Sequence, residues 1–145
     1  MSTVALTRTR RIAYWVTTSI LALETGVGGI LDLARTQHVR MVVAHLGYPA
    51  YLLTILGLWK VPGAMVLLLP RFPRLREWAY AGIFFEMTGA AASHAFFGDT
   101  QYVAITVSFS ILALVSWMLR PSKGNADGRG GAADVQSARP HSSLL

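Results

Sequence analysis

The sequence contains no cysteine and has few charged residues for its length of 145. The lack of cysteine excludes disulfides, thiolate metal sites, cysteine-held iron–sulfur clusters and covalently attached c-type haem. Charged residues make up 14%, whereas soluble domains carry about 25%. A nucleotide-binding loop, a metal-ligand motif and a nucleophile–base pair at a known spacing are also missing, which disfavours an autonomous enzyme. A chain so poor in charge is typical of a protein that faces lipid.

Four long apolar runs account for the 53% of hydrophobic residues. They cover about 12–33, 48–69, 78–97 and 101–119, and each is close to the ~20 residues that a helix needs to cross the hydrocarbon core. Helices are expected because they satisfy their own backbone hydrogen bonds in lipid. The sequence therefore predicts an all-α integral membrane four-helix bundle.

The basic residues predict how this bundle is oriented. On one side of a four-span model lie the tail 1–11, the loop after the second run and the carboxyl-terminal segment, with Arg8, Arg10, Arg11, Arg71, Arg74, Arg76, Arg120, Lys123, Arg129 and Arg139. The other side has only Arg35 and Arg40. The positive-inside rule then places both termini in the cytoplasm, as expected for a bacterial inner-membrane protein. These basic residues anchor the chain to anionic headgroups, so nucleic acid is not an expected partner.

Two segments outside the runs also have recognisable patterns. Val39, Val42, Val43 and Leu46 have the spacing of one helical stripe, which predicts a short amphipathic helix in the first outer loop. Residues 120–145 are rich in glycine, serine, alanine and charge without periodicity, which predicts a disordered cytoplasmic tail.

Three charged side chains lie deep inside the apolar runs, away from their ends: Glu24, Lys60 and Glu86. At about 1.5 Å per residue, they lie about 18, 14 and 12 Å from the cytoplasmic ends of their spans, near one level at the midplane. A lone charge there costs at least about 2.5–3.5 kcal/mol. We therefore expect Lys60 to pair with Glu24, Glu86 or both, either as a structural ion cluster or as a site that handles protons or a ligand.

Small residues accompany these charges at helical spacing. Glycine lets helices approach closely, and polar groups can then bond across the contact. The predicted packing residues are Gly57, Gly63, Gly82 and Gly89.

A second polar group is expected at the outer end of the bundle, formed by His45, His94 and Asp99. Two histidines on different helices could ligate a b-type haem. Interfacial histidines more commonly just form hydrogen bonds, so haem is the less favoured interpretation.

The order of several short motifs resembles the DoxX-like family of small bacterial four-helix membrane proteins. They are Leu46-Gly47-Tyr48-Pro49, Gly57 with Lys60 and Gly63-Ala64, the run 77–82, Gly89-Ala90, Ser93-His94 and Gly98-Asp99. The resemblance covers about 11–119. It implies a link to DoxX-type subunits of quinone-linked oxidoreductases, with quinone as a candidate cofactor, but it carries over no catalytic residues.

Three functions remain open at this point. The chain could be an accessory or anchoring subunit of a quinone-linked redox complex, with oxidoreductase subunits as partners. It could be a small oligomeric carrier or a unit for proton or solute permeation. It could also be a structural membrane protein without a ligand. The first hypothesis fits the family resemblance best.

Overall fold

The described part of the chain is entirely α-helical. The computed structural model describes residues 3–69 and 71–120, with side chains from Arg8 onward, and no strand occurs among them. The helices are α1 (Thr3–Leu33), α2 (Gln37–His45), α3 (Tyr51–Leu68), α4 (Pro73–Phe97) and α5 (Thr100–Leu119). The all-α fold class is therefore confirmed.

The helix boundaries differ from the predicted spans mainly at the basic ends. Helix α1 begins at Thr3 and so includes most of the predicted tail 1–11, and α4 begins at Pro73 rather than near Trp78. Hydropathy finds the stretch that lipid can cover, whereas a helix continues into polar sequence until a proline or glycine ends it. Of the predicted disordered tail 120–145, all but Arg120 lies outside the described residues.

The four long helices pack side by side. Helix α1 contacts α3 and α5, while α4 contacts α5 and, less extensively, α3. The short helix α2 contacts α3. The end of the molecule that contains α2, the end of α1 and the α4–α5 turn is called the α2 end below. The start of α1 and the end of α5 lie at the opposite end.

Specific chain geometry forms the turns between helices. Pro73 occupies the first turn of α4, where its missing N–H costs little. Gly98 ends α4 with φ 79°, a left-handed conformation that glycine adopts without steric cost, and α5 begins two residues later. Helices α4 and α5 therefore form an antiparallel hairpin.

Three of the described helices are long and apolar enough to cross a membrane: Arg8–Leu33 within α1, Tyr51–Leu68 and Thr100–Leu119. Helix α4 has 25 residues, so its length is sufficient, but Arg74, Arg76, Glu77 and Glu86 reduce its hydropathy. The described helices thus indicate a bilayer environment.

The half of the molecule toward the opposite end is closed by apolar packing. Leu21 and Leu67 are fully buried, and Ile83 and Met87 are nearly so, in one cluster contributed by all four long helices. At the edge of this cluster, the hydroxyls of Thr18, Tyr80 and Ser116 bond to one another at 2.8–3.0 Å. We call these three residues the hydroxyl layer, and it joins α1, α4 and α5.

Candidate functional site

Lys60 of α3 forms ion pairs with two acidic side chains from neighbouring helices. Its Nζ lies 2.7 Å from Glu86 Oε1 on α4 and 3.0 Å from Asp32 Oδ2 on α1. The side chains of Lys60, Asp32 and Glu86 are 12%, 7% and 22% exposed. These three residues, called the Lys60 cluster, bring one charge from each of three helices together.

Glu24 does not pair directly with Lys60, although the sequence allowed it. Its only described hydrogen bond comes from the adjacent Thr25, at 3.4 Å. It nevertheless lies close to the cluster. A Cβ added to Gly28 would be 3.7 Å from Lys60 Nζ and 3.8 Å from Glu24 Oε1. The region therefore contains three carboxylates and a single ammonium group.

Close contact between α1 and α3 positions Lys60. A Cβ at Gly29 would lie 2.6 Å from Lys60 Cβ, and one at Gly57 would lie 2.7 Å from the Gly29 carbonyl oxygen. No side chain fits at either position without moving backbone. The two glycines thus let the Lys60 stem lie directly against α1, one turn from Asp32.

Asp32 is the site residue that the sequence analysis missed. It lies in the last turn of α1, about 12 Å along the helix from Glu24, at the end of the first apolar run rather than near the midplane. A lysine side chain spans about 6 Å, so an estimate from Cα depth alone cannot choose between acids on neighbouring turns. The available signal was the i, i+4 series Glu24, Gly28, Asp32, which places both acids and a small residue on one face of α1.

Two cavities meet at the Lys60 cluster, where α3 and α4 make the least extensive contact of any two neighbouring long helices. The first, the α2 cavity, has a volume of about 420 Å³ and lies between α2, α3 and α4. Its base contains Asp32, Lys60 and Glu86, and its walls include Ser93 and Val42. The second, the α3–α4 groove, has a volume of about 480 Å³ and extends toward the opposite end.

The predicted packing glycines lie in different environments. Gly57 lies at the α1–α3 contact. At Gly63, Gly82 and Gly89, an added Cβ would meet nothing within 4 Å. Gly63 and Gly82 line the α3–α4 groove, and Gly89 lines the α2 cavity. These three glycines leave space beside the cluster rather than bringing helices into contact.

At the α2 end, one carboxylate oxygen joins the three residues of the predicted outer polar group. His94 Nδ1 and His45 Nε2 lie 2.9 and 3.0 Å from Asp99 Oδ2. Each ring N–H donates, since an ionised carboxylate only accepts. These hydrogen bonds, chiefly that from His94, lower the pKa of Asp99 below its ordinary value. The His94 ring also stacks on Tyr102, with centroids 4.7 Å apart.

The histidines connect helices through Asp99 rather than facing each other across an open space. His45 ends α2, and His94 lies in the last turn of α4. Within the described residues, no group of three or more His, Cys, Asp or Glu side chains could hold a metal ion. The outer polar group therefore ties α2 to the α4–α5 turn.

Comparison with known proteins identifies the family. A model of the DoxX-like family matches residues 16–116, which is more than half of the chain. No curated protein and no solved structure matches the chain. The match includes Asp32, Lys60 and Glu86 and both cavities, and it confirms the resemblance seen in the sequence motifs. The chain is therefore a membrane protein that belongs to the DoxX-like family.

Proposed function

We propose that α1, α3, α4 and α5 form a four-helix transmembrane bundle of the bacterial inner membrane, with both termini in the cytoplasm. Helix α4 packs between α3 and α5, both apolar enough to span, so it passes through the same depth. Its charged residues face partners: Glu86 pairs with Lys60, and Arg76 donates to Tyr14 Oη at 2.9 Å. The basic residues concentrated at the opposite end place that end in the cytoplasm.

Within this bundle, we propose that the chain is an accessory subunit of a quinone-linked redox complex and binds the quinone headgroup at the Lys60 cluster. The observation that supports this is the position of Lys60 where the α2 cavity meets the α3–α4 groove. An ammonium group has three donors. The ion pairs of Lys60 with Asp32 and Glu86 leave at least one of these donors for a carbonyl oxygen.

The residues of the groove fit a headgroup that carries an apolar chain. Trp59, Val66 and Trp78 line the groove, and the two tryptophans are 76% and 80% exposed on the surface of α3 and α4. When bound, a quinone would supply two-electron, two-proton redox chemistry. Lys60 would donate a hydrogen bond to it, while Asp32 and Glu86 would hold the ammonium in place. Catalysis on other substrates would belong to oxidoreductase partner subunits.

Filling the α3–α4 groove with a larger side chain tests whether quinone binds there. Gly82→Leu places a side chain in the groove, where nothing lies within 4 Å of an added Cβ. Ala92→Leu is the matched control on an exposed part of α4. After gentle extraction, mass spectrometry should find quinone with the wild type and with Ala92→Leu, and at least fivefold less with Gly82→Leu. Equal amounts in all three proteins, or none in any, would overturn quinone binding.

A second candidate function is proton or solute permeation by an oligomer. The excess of three carboxylates over one ammonium in the Lys60 region favours it, because such a region takes up cations or protons. The buried side chains of Leu21, Leu67 and Ile83 fill the bundle interior between there and the opposite end, and the α3–α4 groove beside them is lined by apolar side chains beyond the Lys60 cluster. Flux through purified protein in vesicles, abolished by Glu86→Gln, would favour permeation. A Lys60→Met variant that leaves cell physiology unchanged would instead favour a structural role without a ligand.

A further inference from the structure

The two cavities beside the Lys60 cluster differ in their lining. The walls of the α2 cavity include His38, Tyr48, Ser93 and His94, and Tyr48 Oη lies 2.9 Å from Ser93 Oγ. In the α3–α4 groove, the polar lining residues are Thr25 and the ion pair itself. Water needs two to four polar partners to remain in a cavity. The walls of the α2 cavity also include apolar side chains such as Val39 and Leu52, but the cavity provides polar groups both at its base and beyond it, whereas the groove provides them only at its end.

Asp32 retains capacity for a further partner in the α2 cavity. Its Oδ2 lies 3.0 Å from Lys60 Nζ, yet this buried atom has no hydrogen bond of good geometry within the described residues. The contact is therefore an ion pair whose donor is poorly aimed at the oxygen. The side chain is 7% exposed and lines the cavity, so the carboxylate borders any water that the cavity holds.

Access from the opposite end through the bundle interior is closed, and the α3–α4 groove, which extends toward that end, is lined there by apolar side chains. Leu21 and Leu67 have no exposed surface, and Ile83 is 4% exposed. The hydroxyl layer lies beyond them and is satisfied internally, since each of its hydroxyls has two partners within the layer. A proton on Glu86 therefore has polar neighbours toward the α2 end and apolar neighbours toward the opposite end.

We infer that the α2 cavity is an aqueous inlet through which the Lys60 cluster exchanges protons with the α2 side of the membrane only. A hydronium ion in the cavity transfers its proton to a carboxylate oxygen of Glu86 or Asp32, which forms an O–H bond and leaves water. The release of a proton follows the same path in reverse. The use of these protons for quinone chemistry rests on the proposed function, whereas the inlet itself does not.

Other titratable groups surround this route. On α1 they are Glu24 and Asp32, and on α2 they are His38 and His45. Helix α3 contributes Lys60, and α4 contributes Glu86 and His94. Asp99 lies at the α4–α5 turn, and Tyr102 lies in the first turn of α5. Of these groups, Asp32, Lys60 and Glu86 lie at the base of the α2 cavity and His38, His94 and Tyr102 line its walls, so proton-carrying groups border the cavity beyond the cluster as well as at it.

The absence of cysteine makes the inlet testable by single-cysteine labelling. Ala90→Cys places a thiol in the α2 cavity, one turn beyond Glu86, and Gly63→Cys places one in the groove, one turn beyond Lys60. Ser116→Cys is the buried control. A charged, membrane-impermeant methanethiosulfonate should label Ala90→Cys from the α2 side at least tenfold faster than the other two. Equal labelling of Gly63→Cys, or labelling of Ala90→Cys only from the opposite side, would overturn the inference.

Proton exchange itself can be measured by infrared spectroscopy of the full chain in D₂O. At a pH low enough to protonate Glu86, its carboxyl band is identified by its loss in Glu86→Gln, and the rate of H/D exchange of this band is then compared in two variants. Ala90→Phe fills the α2 cavity and should slow exchange at least tenfold, whereas Ala92→Phe on the exposed surface should not. Equal rates would overturn the inlet. If labelling and exchange both behave as expected but the protein retains no quinone, only the proposed redox function is overturned.

Discussion

At the scale of single residues, Lys60 is the group whose removal should affect stability most. Lys60→Met leaves Asp32 and Glu86 as neighbouring buried carboxylates without a counter-charge. Breaking a buried ion pair from one side costs about 3–5 kcal/mol. We expect a clear fall in the thermal unfolding midpoint in detergent. The triple variant that adds Asp32→Asn and Glu86→Gln should recover most of the lost unfolding midpoint, because the two carboxylates without a counter-charge have been removed.

The contribution of Asp99 should depend on pH in a defined direction. Its pKa is lowered in the folded protein, mainly by the hydrogen bond from His94. The stabilisation is therefore fully present above the ordinary pKa of an aspartate, about 3.9, and is lost as the pH falls through the lower folded value. Unfolding midpoints measured from pH 6 to pH 2 should decline more steeply for the wild type than for Asp99→Asn. Parallel curves would contradict this assignment.

At the level of single residues, the sequence carries information where backbone position alone determines contact. Lys60 and Glu86 lie at similar depths on different runs, and the structure places their charged atoms 2.7 Å apart. The partner on α1 depended on the direction of a long side chain and on the close contact at Gly29, neither of which the sequence reveals. The hydroxyl layer was missed for a related reason. Thr18, Tyr80 and Ser116 are ordinary residues of apolar helices until the rotation of each helix is known.

At the scale of helices, the glycines of α3 should respond differently to alanine. At Gly57, an added methyl would lie 2.7 Å from the Gly29 carbonyl oxygen and 2.6 Å from Leu33 Cγ. Overpacking of this kind costs about 1–3 kcal/mol. At Gly63 nothing lies within 4 Å, so alanine should stabilise the helix by about 0.5–1 kcal/mol. Thermal unfolding of Gly57→Ala and Gly63→Ala should therefore shift in opposite directions.

This contrast shows what a glycine pattern can and cannot predict. The pattern on α3 and α4 placed Gly57, Gly63, Gly82 and Gly89 beside the ionisable residues, which is where the structure has them. Whether a glycine fills a helix contact or borders a cavity depends on how far apart the two helices lie. Helices α3 and α4 separate around the Lys60–Glu86 pair, so glycines there enlarge the space. A shift of the same sign for both alanine variants would contradict this distinction.

For the whole molecule, the sequence predicted the helices and their order well because length, hydropathy and turn residues act locally. It did not predict the cleft between α3 and α4, which results from the packing of four helices at once. The number of spans also remains a prediction. Helix α4 carries four charged residues, and only α1, α3 and α5 are apolar enough to span by composition.

The location of the carboxyl terminus decides between three and four spans. With the amino terminus in the cytoplasm, α1 and α3 return the chain to the cytoplasmic side before Arg71. If α4 spans, α5 brings the carboxyl terminus back to the cytoplasm, and a fused fluorescent reporter should fluoresce there. If α4 does not span, α5 carries the terminus outward, and an alkaline phosphatase fusion should be active instead. Alkaline phosphatase inserted near Thr36 should be active outside in both cases, so this insertion serves as the control for the orientation of α1. Cytoplasmic fluorescence is expected, because only a spanning α4 can present Glu86 to Lys60 inside the membrane.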